Sequence, residues 1–427
     1  MSVHRLLLSA NDGALTRLSP DDLLWRREDA SSVDTNLGPR LEGLGPVPAL
    51  HVDFVRLAGL VFFCDRTVPR TGMGRRELDL EVAVSDPDRW APHAAQLADL
   101  LGVLTGDSWT LAFTRRREAR LVEAAPAPEG DLTVLFSGGA DSACGAVAAH
   151  TDGHPPILAS HFDWSSVRGQ QRRTLTALEP VLGADLPNPT WRFARQSTQV
   201  GSGASFGEER SRRSRSILFI ALGLAVAATV ESELWVAENG FTSLNPPLSG
   251  ERRGALSTRT THPAILLGLQ EVLRAVGLRA ELRNPFAALT KGQVFREVAA
   301  QTGDEDASGL LSATHSCAKP GREKGFAPDE HCGVCMGCLV RRGAFLAAGI
   351  RDDTVYIEQG LGSDPQRRAR WLSPKRRETY ESVRYRAEIG FTEDDVIALG
   401  LPDESDLDDA LRLANEGLTE LAAVTVP

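Results

Sequence analysis

From residue 131 onward, short apolar runs alternate with segments in which apolar residues recur every three to four positions. Leu132 to Phe136, Ile157 to Phe162, Trp191 to Ala194 and Glu233 to Ala237 read as buried strands. Asp141 to Ala149, Gln170 to Leu182, Arg213 to Val230 and Pro263 to Val276 read as helices. Apolar strands alternating with helices predict an α/β fold, a doubly wound parallel sheet covered on both faces. Ligands of such sheets bind at the carboxyl ends of the strands. Before residue 124 the pattern differs. Strand-like Leu50 to Val55 and Leu78 to Val84 precede a helical stretch, Pro92 to Leu104, which predicts a small N-terminal α+β domain over 1–123. Residues 124–130, rich in proline and alanine without periodicity, form a linker. A sheet domain over 131–351 follows. The charged helical patterns Pro374 to Arg386 and Asp406 to Ala423 make 352–427 a helical C-terminal appendage.

Length and composition fit this plan. A chain of 427 residues exceeds what one core usually organises, and 42% hydrophobic with 24% charged residues is ordinary for a folded globular protein. The apolar stretch at the N-terminus is too short for a secretory signal. The longest apolar run, Ile217 to Val230, falls short of the roughly 20 residues that span a bilayer and reads as a core helix. A cytoplasmic location without membrane contact is expected. The net charge of −10 gives no general attraction to nucleic acid. Of the arginine runs at 115–117, 210–215 and 367–370, only the second sits beside other candidate site residues; short charge runs are mostly solvated helix faces.

Chemistry concentrates in two places. Leu132 to Cys144 sets a buried strand before Ser137-Gly138-Gly139-Ala140-Asp141-Ser142 and a helix start. Paired glycines let backbone N–H groups approach an anion, and the new helix favours negative charge. The two serine hydroxyls can donate to pyrophosphate oxygens, and Asp141 can hold magnesium or cap the helix. The second place is Cys317, Cys332, Cys335 and Cys338, with Gly333 and Gly337 between ligands. Clustered cysteines favour a metal over disulfides in a cytoplasmic chain, and four thiolates suit a closed, structural zinc site. Free thiols, an iron–sulfur cluster and a sulfur relay are the alternatives.

The loop resembles that of the PP-loop ATP pyrophosphatases, which grip the departing pyrophosphate while the α-phosphate stays on the substrate as an adenylate. Its order of motifs is similar to that of 7-cyano-7-deazaguanine synthase (QueC): Ser137 to Ser142, then His161-Phe162-Asp163, then Arg215 opening an apolar helix, then Thr261-His262-Pro263, Leu289-Thr290-Lys291-Gly292, and Thr314-His315-Ser316-Cys317 with the cysteine cluster. The resemblance covers about residues 131 to 350. It implies adenylation of 7-carboxy-7-deazaguanine by ATP, capture by ammonia to give an amide and then a nitrile, and zinc on the four cysteines. It further implies ATP contacts from residues 137 to 142; His161 and Phe162 are further candidates for ATP contact, and Glu238, Asn239, His262 and His315 are candidates for substrate contact. Arg215 and Lys291 are candidates for offsetting charge at the adenylating phosphate. His262 and His315 either orient substrate or satisfy core hydrogen bonds.

Biosynthetic synthases are shorter and carry a Tyr-Pro-Asp-Cys-like stretch where this chain has Glu238-Asn239-Gly240-Phe241. The added flanking regions resemble the longer QueC-like proteins of bacterial anti-phage operons (QatC type). In such a setting an amine on a partner protein from the same operon could capture the adenylate. Two other function classes compete: a tRNA-modifying or thiolating PP-loop enzyme, with the arginines at 210–215 as the RNA contact, and a non-catalytic ATP-binding assembly subunit.

Overall fold

The computed structural model describes residues 3–7, 22–25, 31–38, 41–71, 74–116, 123–196, 198–199, 203–209, 211, 213–248, 261–317, 330–357, 361 and 365–426. The first part of the chain contains β1 (Val3–Leu7), β2 (Asp22–Leu24), β3 (Val33–Thr35), α1 (Ala49–Thr67), β4 (Glu77–Val84), α2 (Pro87–Trp90), α3 (Ala94–Thr105) and β5 (Ser108–Arg115). Four of these strands form a sheet in the order β2-β1-β4-β5, and every pairing is parallel. Helices α2 and α3 lie between the paired strands β4 and β5. The expected strand at Leu50 to Val55 is corrected, because it lies inside α1. Its local alternation of apolar and polar residues suggested a strand. Burial from His51 to Asp65 shows instead a helix enclosed on nearly every side, with Asp53 accepting from the Ser85 N–H at 2.8 Å.

The central sheet follows residues 123–130, which form no helix or strand. Its elements are β6 (Leu132–Leu135), α4 (Ala140–Thr151), β7 (Pro156–Phe162), α5 (Ser165–Leu182), β8 (Thr190–Arg195), α6 (Arg215–Thr229), β9 (Leu234–Trp235), α7 (Gly240–Leu244), α8 (Pro263–Val276), β10 (Leu282–Arg283), α9 (Lys291–Thr302), α10 (Asp304–Ala313) and α11 (Met336–Ala348). The strand order is β10-β9-β6-β7-β8-β3. All pairings are parallel except β3 with β8, where the N-terminal part contributes an antiparallel edge. The order reverses at β6, which lies between β7 and β9. This is the doubly wound arrangement, with its switch point beside β6.

Every residue of β6 and β7 is buried, as a central strand covered on both faces requires. Leu135, Ile157 and Ala159 join one core with α1, α3, α6 and α8, while Leu132, Val134 and Leu158 join another with α4, α9, α10 and α11. The first core continues into the four-stranded sheet through Leu80 and Val82. Apolar residues on both sides of the 124–130 stretch thus share one interior.

The chain ends in α12 (Pro365–Trp371), α13 (Pro374–Ile389), α14 (Glu393–Ile397) and α15 (Leu407–Ala422). α15 packs its buried Ala414, Leu418 and Leu421 with Phe241 and Leu339. No described helix is long and apolar enough to cross a membrane.

Candidate nucleotide site and cysteine centre

The glycine-rich turn leaves β6 at the switch point. Gly138 has a φ of +80°, and a Cβ there would lie 2.8 Å from the Gln171 Cα, so the turn is seated directly on α5. Thr174 Oγ1 donates to the Gly138 carbonyl at 2.9 Å, and the backbone N–H of His315 donates to the same oxygen at 3.2 Å. Gln171 Nε2 donates to the His161 carbonyl at 2.9 Å. Gly139 caps α4 and donates its N–H to Ser137 Oγ at 3.2 Å, while Ser142 Oγ donates to the Gly139 carbonyl at 2.9 Å. The two serine oxygens are 3.3 Å apart. Hydroxyls and a helix N-terminus with few backbone partners converge as an anion cradle does.

Asp141 and Ala140 open α4. Asp141 Oδ1 accepts from Asn239 Nδ2 at 3.1 Å and from the Asn239 N–H at 3.3 Å. Its Oδ2 is paired with Lys291 Nζ. Burial works against the lysine charge, but Asp141 and Glu238 more than offset this, and the ammonium is held above its ordinary pKa. Asn239 lies just beyond β9, and its Oδ1 caps α7 by accepting from the Thr242 N–H at 3.0 Å. Two segments distant in sequence, those of Asn239 and Lys291, thus converge on Asp141.

The other candidates lie around this centre. The Glu238 N–H donates to Asn284 Oδ1 at 3.2 Å; Asn284 Nδ2 donates to Ser243 Oγ at 3.3 Å, which is 3.1 Å from Thr261 Oγ1. His262 caps α8, its Nδ1 accepting from the Ala264 N–H at 3.3 Å. Residues 256–260 of the preceding stretch lie outside the described residues. His161 points into the interior. It is fully buried, donates Nε2–H to the Phe193 carbonyl at 3.2 Å and meets Phe62 edge-on at 6.1 Å. Burial, reinforced by the Arg215 charge, pushes its pKa down to about 4, so the ring is neutral at pH 7. Its side chain serves the core. Phe162 is nearly buried and carries the Arg168 guanidinium over its ring at 5.2 Å. Arg215 is the first residue of α6, and its charge acts on His161. Of the arginine run, residues 210 and 212 lie outside the described residues. Arg213 is buried and donates to the Thr105 carbonyl, so it is not a solvated cation.

Motif spacing gave no signal for several residues that hold the site. Arg66 of α1 is paired with Asp163 at 3.0 Å. Asp65 accepts from Ser214 Oγ at 2.6 Å and from Ser211 Oγ at 2.8 Å, bracing the entry to α6. The N-terminal part therefore touches both the end of β7 and the start of α6. These contacts join residues about 100 and 150 positions apart, which no local pattern reports.

The four cysteine sulfurs all lie within 4.8 Å of one another. Cys335 and Cys338 Sγ are 3.5 Å apart, and Cys332 and Cys338 Sγ are 3.9 Å apart. Tetrahedral zinc with bonds of about 2.3 Å sets sulfurs about 3.8 Å apart, so the set fits one ion. Trp371 Nε1 donates to the Cys332 carbonyl at 2.7 Å, and Trp371 packs against the cluster with Ile357 and Leu361. His315 links this centre to the loop. Its Nε2–H donates to the Cys317 carbonyl at 2.9 Å, leaving Nδ1 to accept from His331 Nε2–H at 3.0 Å. Burial lowers the pKa of both rings, His331 to about 3. Zinc held there would supply a structural clamp, with no open position for substrate.

No family model matches the chain. Curated relatives do. It is 25% identical over 248 residues to a 7-cyano-7-deazaguanine synthase of Syntrophobacter fumaroxidans, covering 52% of this chain and 95% of the relative. A synthase of the same name from Myxococcus xanthus is 25% identical over 53% of this chain and 96% of its own length. One from Desulfatibacillum aliphaticivorans is 29% identical over 144 residues, 34% of this chain and 55% of its own. Two of these synthases thus align over nearly their whole length with about half of this chain, and the chain, with its switch-point loop and four-cysteine centre in one α/β fold, is similar to QueC.

Proposed function

We propose that the chain adenylates a carboxylate, 7-carboxy-7-deazaguanine, and passes the acyl group to nitrogen. The observation that carries this reading is the Ser137 to Ser142 turn at the switch point with Lys291 paired to its Asp141. A carboxylate oxygen of the acid attacks the α-phosphorus of ATP, the bond to the β-phosphate oxygen breaks, and pyrophosphate departs into the turn. Backbone N–H groups, the two serine hydroxyls and the α4 N-terminus take its charge. Lys291, held by Asp141, offsets charge developing at the α-phosphate. Asp141 is held by Asn239 and Lys291, and magnesium is the cation expected with ATP. A nitrogen nucleophile then attacks the acyl carbon, AMP leaves, and the nitrogen loses a proton. Ammonia gives the amide, whose second activation yields the nitrile; an amine of a partner protein gives a conjugate, the outcome suited to anti-phage defence.

In this proposal residues 131–351 form the catalytic unit, with 1–123 and 352–427 flanking it. The test is mass spectrometry after incubation with ATP, magnesium and 7-carboxy-7-deazaguanine, with ammonia or candidate partner proteins. AMP and pyrophosphate formed with a nitrile, or with a mass increment on a partner, are expected. No acid-dependent release of pyrophosphate under any of these conditions overturns the proposal.

A further inference from the structure

We infer that Glu420, on the C-terminal helix α15, is a positioning residue that sets Lys291 against the nucleotide loop; the inference rests on the role proposed for Lys291. Lys291 is the first residue of α9, and the residues on either side of it are both bound by one carboxylate. Glu420 Oε1 accepts from Thr290 Oγ1, and Glu420 Oε2 accepts from the Gly292 N–H at 3.0 Å. Thr290 is also the helix cap, accepting from the Gln293 N–H at 3.2 Å while its own N–H donates to Gln293 Oε1 at 2.8 Å. One turn earlier on α15, Glu416 Oε2 accepts from Gln293 Nε2 at 3.1 Å.

The seat is close. A Cβ on Gly292 would lie 2.5 Å from Glu420 Oε1 and 2.7 Å from the Ala347 Cβ, and a Cβ on Gly343 would lie 2.4 Å from the Glu420 carbonyl oxygen. α15 is therefore locked onto α9 and onto α11, the helix that carries Cys338. The N-terminal turn of a helix leaves N–H groups without partners and favours a carboxylate. Glu420 occupies that position as a long-range cap, from a segment 128 residues away. With both neighbours fixed, the backbone of Lys291 has little freedom, and Nζ is directed to Asp141. α15 thus forms part of the site's support and is more than an appended surface.

The test measures pyrophosphate release from ATP, magnesium and 7-carboxy-7-deazaguanine by full-length wild-type protein, Glu420→Gln, Lys291→Ala and the double variant. An amide in place of Glu420 cannot accept with both of its terminal atoms, so one flank of Lys291 is released. Glu420→Gln is expected to lower kcat about 10-fold, the scale of a modest misplacement of a catalytic group, while the KM for ATP changes less than about twofold. In the Lys291→Ala background the same substitution is expected to have no further effect, because its influence runs through the lysine. An equal loss in both backgrounds, or no loss in the wild-type background, overturns the inference. If Lys291→Ala itself leaves pyrophosphate release unchanged, the proposed role of Lys291 fails instead. Should Glu420→Gln not fold, Glu420→Asp carries the same four-way comparison, keeping the charge but shortening its reach.

Discussion

Replacing Gly138 and Gly139 separately with alanine divides the structural role of the turn from its chemical one. Gly138 lies at φ +80°, where an L side chain costs about 1–2 kcal/mol. Its new Cβ would meet the Gln171 Cα at 2.8 Å and the Gln171 N at 3.0 Å, both backbone atoms that cannot rotate away. Forcing that contact adds about 1–3 kcal/mol, so Gly138→Ala is expected to destabilise the protein by about 2–5 kcal/mol. With an unfolding entropy of about 2.1 cal/mol/K per residue over 427 residues, 1 kcal/mol moves Tm by about 1 °C, for an expected fall of about 2–5 °C. Gly139 has a φ of −87°, and its Cβ would meet nothing nearer than Ser137 Oγ at 3.3 Å. Gly139→Ala should therefore cost about 1 kcal/mol, the usual loss from alanine at a helix cap. It also projects a methyl group beside the proposed phosphate cradle, and the KM for ATP should rise at least about 10-fold, roughly 1.4 kcal/mol of lost binding. Calorimetry and pyrophosphate release measured on both variants check this. A Gly138→Ala protein with unchanged Tm, or a Gly139→Ala protein with unchanged KM, would refute the reasoning at the corresponding glycine.

Two further outcomes follow from the buried groups. His161 has its pKa depressed to about 4 by burial, so the unfolded chain binds more protons than the folded one between about pH 6.5 and pH 4. The contribution is present above pH 6.5 and lost as pH falls through 4, amounting to about 3 kcal/mol from a shift of about 2.5 units; urea unfolding of His161→Gln should show a flatter acid limb than the wild type, and an identical limb would contradict this. Cys338→Ser should take the protein from about one bound zinc per chain to none after dialysis against a mild chelator; retention of a full equivalent by atomic absorption would argue that the four sulfurs do not act as one site.

Much of the sheet was legible because its signals are local. Leu132 to Phe136 and Ile157 to Phe162 are short apolar runs of a length that suits strands buried on both faces, and the structure has β6 and β7 there. Pro263 and Gly277 bracket α8 at the positions that suit their backbones. The Gly138-Gly139 turn and the cysteine spacing were visible for the same reason. Leu50 to Val55 misled because an alternating stretch of six residues cannot reveal that a further dozen continue as a helix packed from all sides.

By itself, then, the sequence determined most elements of the central sheet and the local chemistry: the anion-favouring turn, the four thiolates and the alternation that makes an α/β sheet. Only the tertiary structure decided which charges face one another. Asp141 meets Lys291 across 150 positions, Asp65 meets Ser214 across 149, and Glu420 reaches Gly292 across 128. It also turned His161, which stands in a motif, into a core residue. Backbone preference and periodicity act over a few residues, whereas these pairings depend on the strand order and on which helix covers which face, fixed when the sheet and its flanking helices pack together.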